Sequence, residues 1–187
     1  MPANLVILDR DGVINHDSED YIKHEDEWFP IQGSIEAIAQ LSRAGFIVCV
    51  ATNQSGLARG LYDEFALARM HEKMQLLVEE QGGRVDGVFY CPHGPDDGCD
   101  CRKPKTGLLD QIESVMAQSV AGAWFIGDTD KDIRAARARN CRPILVMTGK
   151  GSFTAATADP AILKDVPVFD DLFAAAMFVI AEQHGKN

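Results

Sequence analysis

The sequence contains no apolar run long enough to cross a lipid bilayer. The longest such run, residues 172–181, has ten residues, whereas a membrane-spanning helix needs about 20. The apolar start of the chain is too short for a signal peptide, because Asp9, Arg10 and Asp11 interrupt it. We therefore expect a cytoplasmic protein that does not bind membranes.

Positive charge is also scarce. The 187 residues include 18 Lys and Arg against 28 Asp and Glu, which gives a formal net charge of −10. A chain this acidic is a poor general binder of nucleic acid, because phosphate backbones require a positive surface. An anionic substrate would therefore depend on a few local cations.

The remaining composition is that of one globular domain. Hydrophobic residues make up 46% and charged residues 25% of the chain, which excludes a disordered or fibrous protein. The length predicts a single domain over residues 1–187, and we expect it to be a monomer.

The hydrophobic pattern predicts strands that alternate with helices. Short apolar runs predict strands at residues 5–8, 46–51, 85–90, 123–126 and 143–147, with a further short segment at 166–169. Helical spacing and end signals predict helices at 33–44, 63–81, 107–116, 131–139 and 171–183. This alternation is typical of an α/β fold, in which helices cover both faces of a parallel sheet.

Polar clusters follow several of these strands directly. Asp9 and Asp11 follow the first, Thr52 and Asn53 the second, a cysteine-rich loop the third, and Asp128 the fourth. In open parallel sheets, ligands bind outside the carboxyl ends of the strands. We therefore expect an active site at this edge.

The acidic residues at these strand ends favour a magnesium site. Asp9, Asp11 and Asp128 would bring together the oxygen ligands that Mg²⁺ prefers. Two alternatives stay open: Asp9 and Asp11 could form a solvated turn, and Asp128 or Asp130 could simply start a helix. Asp132 is either an orienting residue or an ordinary first-turn acid.

Two further segments favour phosphate binding. TNQSG supplies Thr52, Asn53, Gln54 and Ser55, with Arg59 close behind, and RKPK supplies Arg102 and Lys103. Hydroxyls, amides, backbone N–H groups and cations all suit phosphate oxygens. The alternatives are a polar turn for the first segment and a solvated basic loop for the second.

The chain contains five cysteines and is not expected to be exported. Both the odd count and the expected compartment argue against a disulfide framework. Cys91, His93, Cys99 and Cys101 form a Cys₃His set within eleven residues, a closed tetrahedral arrangement typical of structural Zn²⁺. The alternative is a group of buried or redox-active thiols. Cys49 and Cys141 are expected in the core, and His16, His24, His71 and His184 show no partner pattern.

Taken together, the motifs DRDGVIN, TNQSG, CRKPK and GDTDKD resemble the haloacid dehalogenase superfamily of phosphatases over about residues 5 to 150. The loop from Cys91 to Lys103 narrows the resemblance to the branch that holds histidinol-phosphate and heptose-bisphosphate phosphatases. This resemblance implies a Rossmann-like parallel sheet, a zinc-bound loop and no large cap domain.

The resemblance also implies residue roles. Asp9 would be the nucleophile that forms an aspartyl-phosphate, and Asp11 the general acid and then the base. Thr52 and Lys103 would bind the transferring phosphoryl group. Mg²⁺ would be held by Asp9, by the backbone carbonyl of Asp11 and by Asp128. Arg102 would recognise substrate, and the sugar end would be lined by Asp17, Tyr21, Asn53, Gln54 and Ser55.

The substrate implied is a small sugar bisphosphate, specifically a heptose bisphosphate that loses its 7-phosphate during synthesis of the lipopolysaccharide heptose precursor. Histidinol phosphate is the alternative substrate. Arg59 favours the bisphosphate, since a second phosphate needs cations and a cationic amine does not. A zinc-stabilised binding module without catalysis is a third possibility, against which the intact acidic set and Lys103 argue.

Overall fold

The computed structural model describes residues 4–185. Its strands are β1 (Leu5–Leu8), β2 (Ile47–Asn53), β3 (Gly87–Cys91), β4 (Trp124–Gly127), β5 (Arg142–Val146) and β6 (Val168–Phe169). Its α-helices are α1 (Ser34–Arg43), α2 (Glu64–Glu80), α3 (Gly107–Met116), α4 (Asp130–Ala138), α5 (Gly151–Thr157), α6 (Pro160–Leu163) and α7 (Leu172–His184). A 3-10 turn lies at Glu25–Glu27.

The strands form one six-stranded parallel sheet in the order β3-β2-β1-β4-β5-β6. β1 lies between β2 and β4, with Leu8 opposite both Val50 and Ile126. The predicted parallel α/β architecture is therefore confirmed. Its consequence for the site is that the chain leaves β1 and β4 side by side, so Asp9 and Asp128 emerge at the same edge.

The core lies on both faces of the sheet. Side chains of β1 alternate between two clusters, with Val6 and Leu8 facing α1, α2 and α7, and Leu5 and Ile7 facing α3 and α4. All four are fully buried, which explains why this strand is a continuous apolar run rather than an alternating one. The rigid centre of the molecule thus holds the start of the DRDGVIN segment.

Most predicted elements lie within a few residues of their observed positions. The alternative that Asp128 or Asp130 caps α4 does not hold, because Thr129 is the N-cap, in a capping box with Asp132. Gly33, which was expected inside the first helix, instead precedes α1 as its N-cap with φ of 82°. Asp63 caps α2 as expected, accepting a 2.8 Å hydrogen bond from the backbone N–H of Ala66.

The sequence did not predict α5 and α6. α5 has seven residues and α6 has four, so neither is long enough to show a helical period in the sequence. Cys49 and Cys141 are buried as expected. Within residues 4–185, no helix combines the length and hydrophobicity that crossing a membrane would require.

Candidate active site

A cavity of about 290 Å³ opens at the carboxyl edge of the sheet. It is lined by the residues that the resemblance implied for catalysis, substrate contact or Mg²⁺: Asp9, Asp11, Asp17, Tyr21, Thr52, Asn53, Gln54, Ser55, Arg102, Lys103 and Asp128. Arg59, which was expected to favour a second phosphate, is not among the residues that line it. The fold therefore brings together segments that are more than 100 residues apart in the sequence.

Asp9 lies directly after β1, where its backbone N–H donates to the carbonyl oxygen of Ile126 over 3.0 Å. Its Oδ1 accepts a 2.8 Å hydrogen bond from the backbone N–H of Arg10 and lies 2.9 Å from Nζ of Lys103. Burial raises the pKa of Asp9 to about 7, against the opposing effect of Lys103. The carboxyl group is thus buried and held close to a cation.

Lys103 is almost completely enclosed, with 3% of its surface exposed. Besides Asp9, its Nζ contacts Oδ1 of Asp132 at 2.6 Å and the carbonyl oxygen of Ala51 at 2.8 Å. Burial lowers the pKa of the amine, but Asp132 and Asp9 together outweigh it and raise the pKa above its usual value. Lys103 is therefore a charged amine whose position is fixed by three partners.

The backbone at Lys103 is fixed by Asn53. Its N–H donates to Oδ1 of Asn53 over 3.0 Å, and Nδ2 of Asn53 donates to the Lys103 carbonyl oxygen over 3.2 Å. This pair of bonds ties the cysteine-rich loop to the end of β2. Asn53, which was expected to contact the sugar end, thus uses its amide to position Lys103.

Asp128 is buried at the end of β4, with 1% of its surface exposed. Its Oδ2 accepts a 2.8 Å hydrogen bond from the backbone N–H of Lys150, while its Oδ1 has no hydrogen-bond partner within residues 4–185. A Cβ atom added at Gly12 or Gly149 would lie 2.2 or 2.3 Å from Oδ2 of Asp128. Only glycines leave room for this carboxylate.

The acidic cluster has the donor set of a magnesium site. Carboxylate oxygens of Asp9, Asp128 and Asp132 lie within 4.8 Å of one another. Asp132 is already engaged, since Oδ1 contacts Lys103 and Oδ2 accepts from Oγ1 of Thr129 over 2.8 Å. Burial, followed by repulsion from Asp9 and Asp132, raises the pKa of Asp128 to about 8. The unpartnered Oδ1 and this repulsion fit a bound divalent cation.

Asp11 is surrounded by hydrogen-bond donors. Its Oδ1 accepts from Nη2 of Arg10 at 2.8 Å and from Nδ2 of Asn15 at 3.0 Å, and its Oδ2 accepts from Nε2 of Gln54 at 2.8 Å. Burial alone would raise the pKa of Asp11, but Arg10 and these bonds outweigh it and hold the pKa below its usual value. Asp11 is therefore ionised in this arrangement.

Gln54 connects Asp11 to Thr52. Its Nε2 also donates to Oγ1 of Thr52 over 2.9 Å, and its Oε1 accepts from the hydroxyl of Tyr62 over 2.6 Å. The sequence analysis did not predict Tyr62 as a site residue, because this tyrosine does not directly follow a strand. It lies several residues after β2, between TNQSG and α2. Its ring fits closely over Gly56, where a Cβ atom would lie 2.2 Å from the ring.

The rim of the cavity carries cations, two of which sequence analysis missed. Lys131 and Lys150 line the cavity together with Arg102, and Nζ of Lys150 lies 3.2 Å from Oδ2 of Asp17. Both lysines follow a strand end by only a few residues, and this position could have indicated that they lie at the site. Arg59 is exposed and lies over the ring of Tyr21, 5.8 Å from its centroid.

The Cys₃His set is assembled as the spacing predicted. Side-chain atoms of Cys91, His93, Cys99 and Cys101 lie within 4.8 Å of one another. Sγ of Cys91 is 3.6 Å from Sγ of Cys99, near the edge of about 3.7 Å expected between two sulfur ligands at a tetrahedral zinc ion. Sγ of Cys101 lies closer, 2.9 Å from Sγ of Cys91, so these two sulfurs would move apart around an ion. All five cysteines are free thiols. The set could therefore hold Zn²⁺.

The loop also directs Arg102. Nη1 of Arg102 donates to the carbonyl oxygen of His93 over 3.3 Å, and Nζ of Lys105 donates to the carbonyl oxygen of Cys99 over 2.6 Å. The side chains of Arg102 and Lys105, which follow Cys101, thus fold back and bond to the backbone of the cysteine-rich loop. The position of Arg102 at the cavity consequently depends on the shape of this loop.

Comparison with known proteins agrees with this geometry. A family model described as HAD-hydrolase-like matches residues 100–175. The chain is 57% identical to the D-glycero-beta-D-manno-heptose-1,7-bisphosphate 7-phosphatase of Pseudomonas aeruginosa, covering 94% of this chain and 97% of that protein. It is 53% identical to the protein of the same name from Pseudomonas putida, over 94% and 99%.

The fold comparison gives the same result. The crystal structure of D,D-heptose 1,7-bisphosphate phosphatase from B. bronchiseptica, complexed with magnesium and phosphate, has a TM-score of 0.89 and 46% identity. The match covers 95% of this chain and 98% of that one. The chain therefore belongs to the haloacid dehalogenase superfamily, in the family of the D-glycero-β-D-manno-heptose-1,7-bisphosphate 7-phosphatases.

Proposed function

We propose that this protein is a Mg²⁺-dependent phosphatase that removes the 7-phosphate from D-glycero-β-D-manno-heptose 1,7-bisphosphate. The observation that carries the proposal is the arrangement of Asp9, held 2.9 Å from the buried amine of Lys103 and beside the unpartnered Oδ1 of Asp128. The names of the relatives at 57% and 53% identity support the substrate. The product would serve synthesis of the lipopolysaccharide heptose precursor, in the cytoplasm.

In the first half of the reaction, Oδ2 of Asp9 attacks phosphorus, because Oδ1 is engaged by Arg10 and Lys103. Thr52 binds an oxygen of the transferring phosphoryl group. Lys103 binds another by exchanging one of its present contacts, since Asp9, Asp132 and the carbonyl oxygen of Ala51 engage all three of its N–H groups. Asp9, Asp128 and the backbone carbonyl of Asp11 would hold Mg²⁺, which supplies the positive charge that lets a carboxylate approach a phosphate dianion. Preorganised charge of this kind is usually the largest contribution to catalysis.

Asp11 moves the protons. It gives one to the oxygen of the departing sugar and later takes one from the water that hydrolyses the aspartyl-phosphate. The low pKa of Asp11 suits the second step. The first step requires bound substrate to displace the hydrogen bond from Gln54 to Oδ2, since that bond favours the ionised form, while Arg10 and Asn15 keep Oδ1 in place.

The substrate end is formed at the cavity rim. Tyr21, Ser55 and Arg102 line it, and Arg102, Lys131 and Lys150 supply the cations that a second phosphate needs in a protein of net charge −10. Asp17 would bind sugar hydroxyls, while Gln54 orients Thr52 and Asn53 orients Lys103. We assign Zn²⁺ a structural role at the Cys₃His set, because four protein ligands leave no open position for water.

A side-by-side assay tests the substrate. Heptose 1,7-bisphosphate, histidinol phosphate and p-nitrophenyl phosphate are each supplied at equal concentration with Mg²⁺, and released phosphate is measured. We expect the highest kcat/KM for the bisphosphate. Faster hydrolysis of histidinol phosphate would contradict the substrate, and no Mg²⁺-dependent release from any of the three would contradict phosphatase activity altogether. Light scattering of the purified protein tests the expected monomer, and limited proteolysis tests the expected single domain.

A further inference from the structure

His71 lies on the face of α2 that packs against the sheet. That face is otherwise apolar, with Leu67, Met70, Met74 and Val78 buried in the core. His71 is also buried, with 8% of its surface exposed. A polar ring in such a position needs a hydrogen-bond partner, because burial without one costs free energy.

The partner of His71 is Arg10. Nη1 of Arg10 lies 3.2 Å from Nε2 of His71. A guanidinium has only donors, so Nε2 of His71 must be the acceptor and the ring proton must lie on Nδ1. Burial and the neighbouring Arg10 lower the pKa of His71 to about 3, which keeps the ring neutral.

The opposite side of the same guanidinium holds Asp11. Nε and Nη2 of Arg10 lie 3.2 and 2.8 Å from Oδ1 of Asp11. Arg10 is 1% exposed, so each of its nitrogens depends on partners inside the protein. The guanidinium is therefore fixed at both ends, by the imidazole of α2 and by the carboxylate at the cavity.

From these contacts we infer that His71 is a positioning residue, which orients the guanidinium of Arg10 and, through it, the carboxylate of Asp11. The inference rests on the proposed role of Asp11 as acid and base. His71 itself does not line the cavity, so it acts only through Arg10. Without this acceptor, Nη1 would be unpaired in a buried site, and the guanidinium would rotate away from its present contact with Asp11.

The test compares two neutral amides at this position. In His71→Gln the amide oxygen reaches about as far as Nε2 of the imidazole, whereas in His71→Asn it falls short. Met74→Leu is the control, since it changes a buried neighbour on the same helix face with little change of volume. For the bisphosphate, we expect His71→Asn to lower kcat about tenfold with KM unchanged, the scale of one lost hydrogen bond to a charged group. His71→Gln and Met74→Leu should stay near wild type.

The leaving group separates positioning from general loosening of the fold. An alkoxide needs the proton of Asp11 to depart, whereas p-nitrophenolate does not. In the first turnover, His71→Asn should therefore slow cleavage of the bisphosphate but not of p-nitrophenyl phosphate. Equal losses on both substrates, equal losses in the Asn and Gln variants, or unchanged kcat would each overturn the inference.

A different alkyl phosphate separates this inference from the proposed substrate. If wild type does not hydrolyse the heptose compound, the substrate proposal fails, and the rates of wild type and His71→Asn are compared on fructose 1,6-bisphosphate instead. If His71→Asn does not fold, ¹⁵N NMR of the wild-type imidazole decides. A proton on Nδ1 at neutral pH supports the inference, and a proton on Nε2 contradicts it because that nitrogen could not accept from Arg10.

Discussion

At the scale of single residues, two neighbouring cations are held in very different ways. Lys103 is enclosed by Asp9, Asp132 and the carbonyl oxygen of Ala51. The side chain of Arg102 is partly exposed and donates to the carbonyl oxygen of His93. A substitution at Lys103 should therefore damage both the chemistry and the fold, while one at Arg102 should change substrate preference.

The first prediction follows from this difference. Arg102→Ala should lower kcat/KM for heptose bisphosphate about 10- to 100-fold, the scale of one charge-assisted contact of roughly 1.5–3 kcal/mol, and should affect p-nitrophenyl phosphate much less. Lys103→Met should abolish hydrolysis of both substrates. It should also lower the free energy of unfolding by about 3–5 kcal/mol, because Asp132 is left as an unpaired buried charge. Kinetics on both substrates and urea unfolding measure these effects.

An equal loss on both substrates for Arg102→Ala would assign that residue to the phosphoryl group instead. Arg134→Ala is a suitable control, because its side chain is half-exposed and pairs with Asp130 outside the cavity and outside the cysteine-rich loop.

The second prediction concerns the nucleophile. Asp9→Asn preserves the size of the side chain but removes its ability to attack phosphorus, so turnover should fall by orders of magnitude while the fold is retained. Phosphate release and circular dichroism measure the two effects. Asp130→Asn is the matched control, since Asp130 lies near the same edge but pairs with Arg134 outside the cavity. Activity of Asp9→Asn above about 1% of wild type would exclude Asp9 as the nucleophile.

Sequence alone could predict Asp9, Asp11 and Asp128 as site residues, because each follows a buried apolar strand directly and strand ends meet at one edge of a parallel sheet. It could not predict His71 or Tyr62. Their contacts with Arg10 and Gln54 depend on how α2 and the stretch before it pack over the sheet, and no local pattern encodes that packing. Nor could it predict that Thr129, rather than an aspartate, caps α4, because the choice among neighbouring polar residues depends on the direction of their side chains.

At the scale of elements, the cysteine-rich loop has no hydrophobic core of its own. It begins at Cys91, the last residue of β3, and ends where Thr106 precedes α3. Its shape rests on the Cys₃His set and on the bonds between Asn53 and the backbone of Lys103. Metal binding by Cys101 should therefore control the position of Arg102, the next residue in the chain.

The third prediction is that the protein contains one Zn²⁺ per chain when purified without chelator, as measured by elemental analysis. Cys101→Ser should reduce the zinc content and lower activity indirectly, through displacement of Arg102 and Lys103. Cys141→Ser is the control: this thiol is buried outside the loop and donates to the carbonyl oxygen of Val120, a bond that a hydroxyl can keep. A zinc content near zero in wild type would contradict the assignment.

Elements with strong local signals could be predicted from the sequence, and those without could not. The fully buried strands form apolar runs, and Asp63 marks the start of α2 by its side-chain bond to Ala66. By contrast, α5 and α6 are short helices at residues 151–163, and their positions depend on contacts with the rest of the fold. Thr154 in α5, for example, donates to the backbone carbonyl oxygen of Asp128.

At the scale of the whole molecule, the acidic cluster couples stability to pH and to Mg²⁺. The folded-state pKa values of Asp9 and Asp128, about 7 and about 8, lie above the ordinary value of 3.8. Between these limits the folded protein binds protons that the unfolded chain has released, so metal-free protein loses stability as pH rises through this window. Mg²⁺ would replace the protons and offset the loss.

The fourth prediction is therefore that the thermal midpoint in Mg²⁺-free buffer falls between about pH 5 and pH 8, and that added Mg²⁺ raises it more at pH 8 than at pH 5. Differential scanning fluorimetry measures both. Asp128→Asn, which removes one of the two raised carboxyl groups, should reduce the pH dependence and weaken the effect of Mg²⁺. A wild-type midpoint that rises with pH over this range would contradict the charge repulsion on which the prediction depends.

The strand order has a consequence for how the enzyme is made. β1 lies between β2 and β4 in the sheet, although these strands are far apart in the sequence. Asp9, the proposed nucleophile, is synthesised early, whereas Asp128 and the backbone N–H of Lys150 that holds it are synthesised late. A nascent chain that has released only β1, β2 and β3 from the ribosome already contains Asp9 and Thr52 but not their acidic partner. Catalytic competence should thus appear abruptly near the end of translation, once β4 has inserted beside β1.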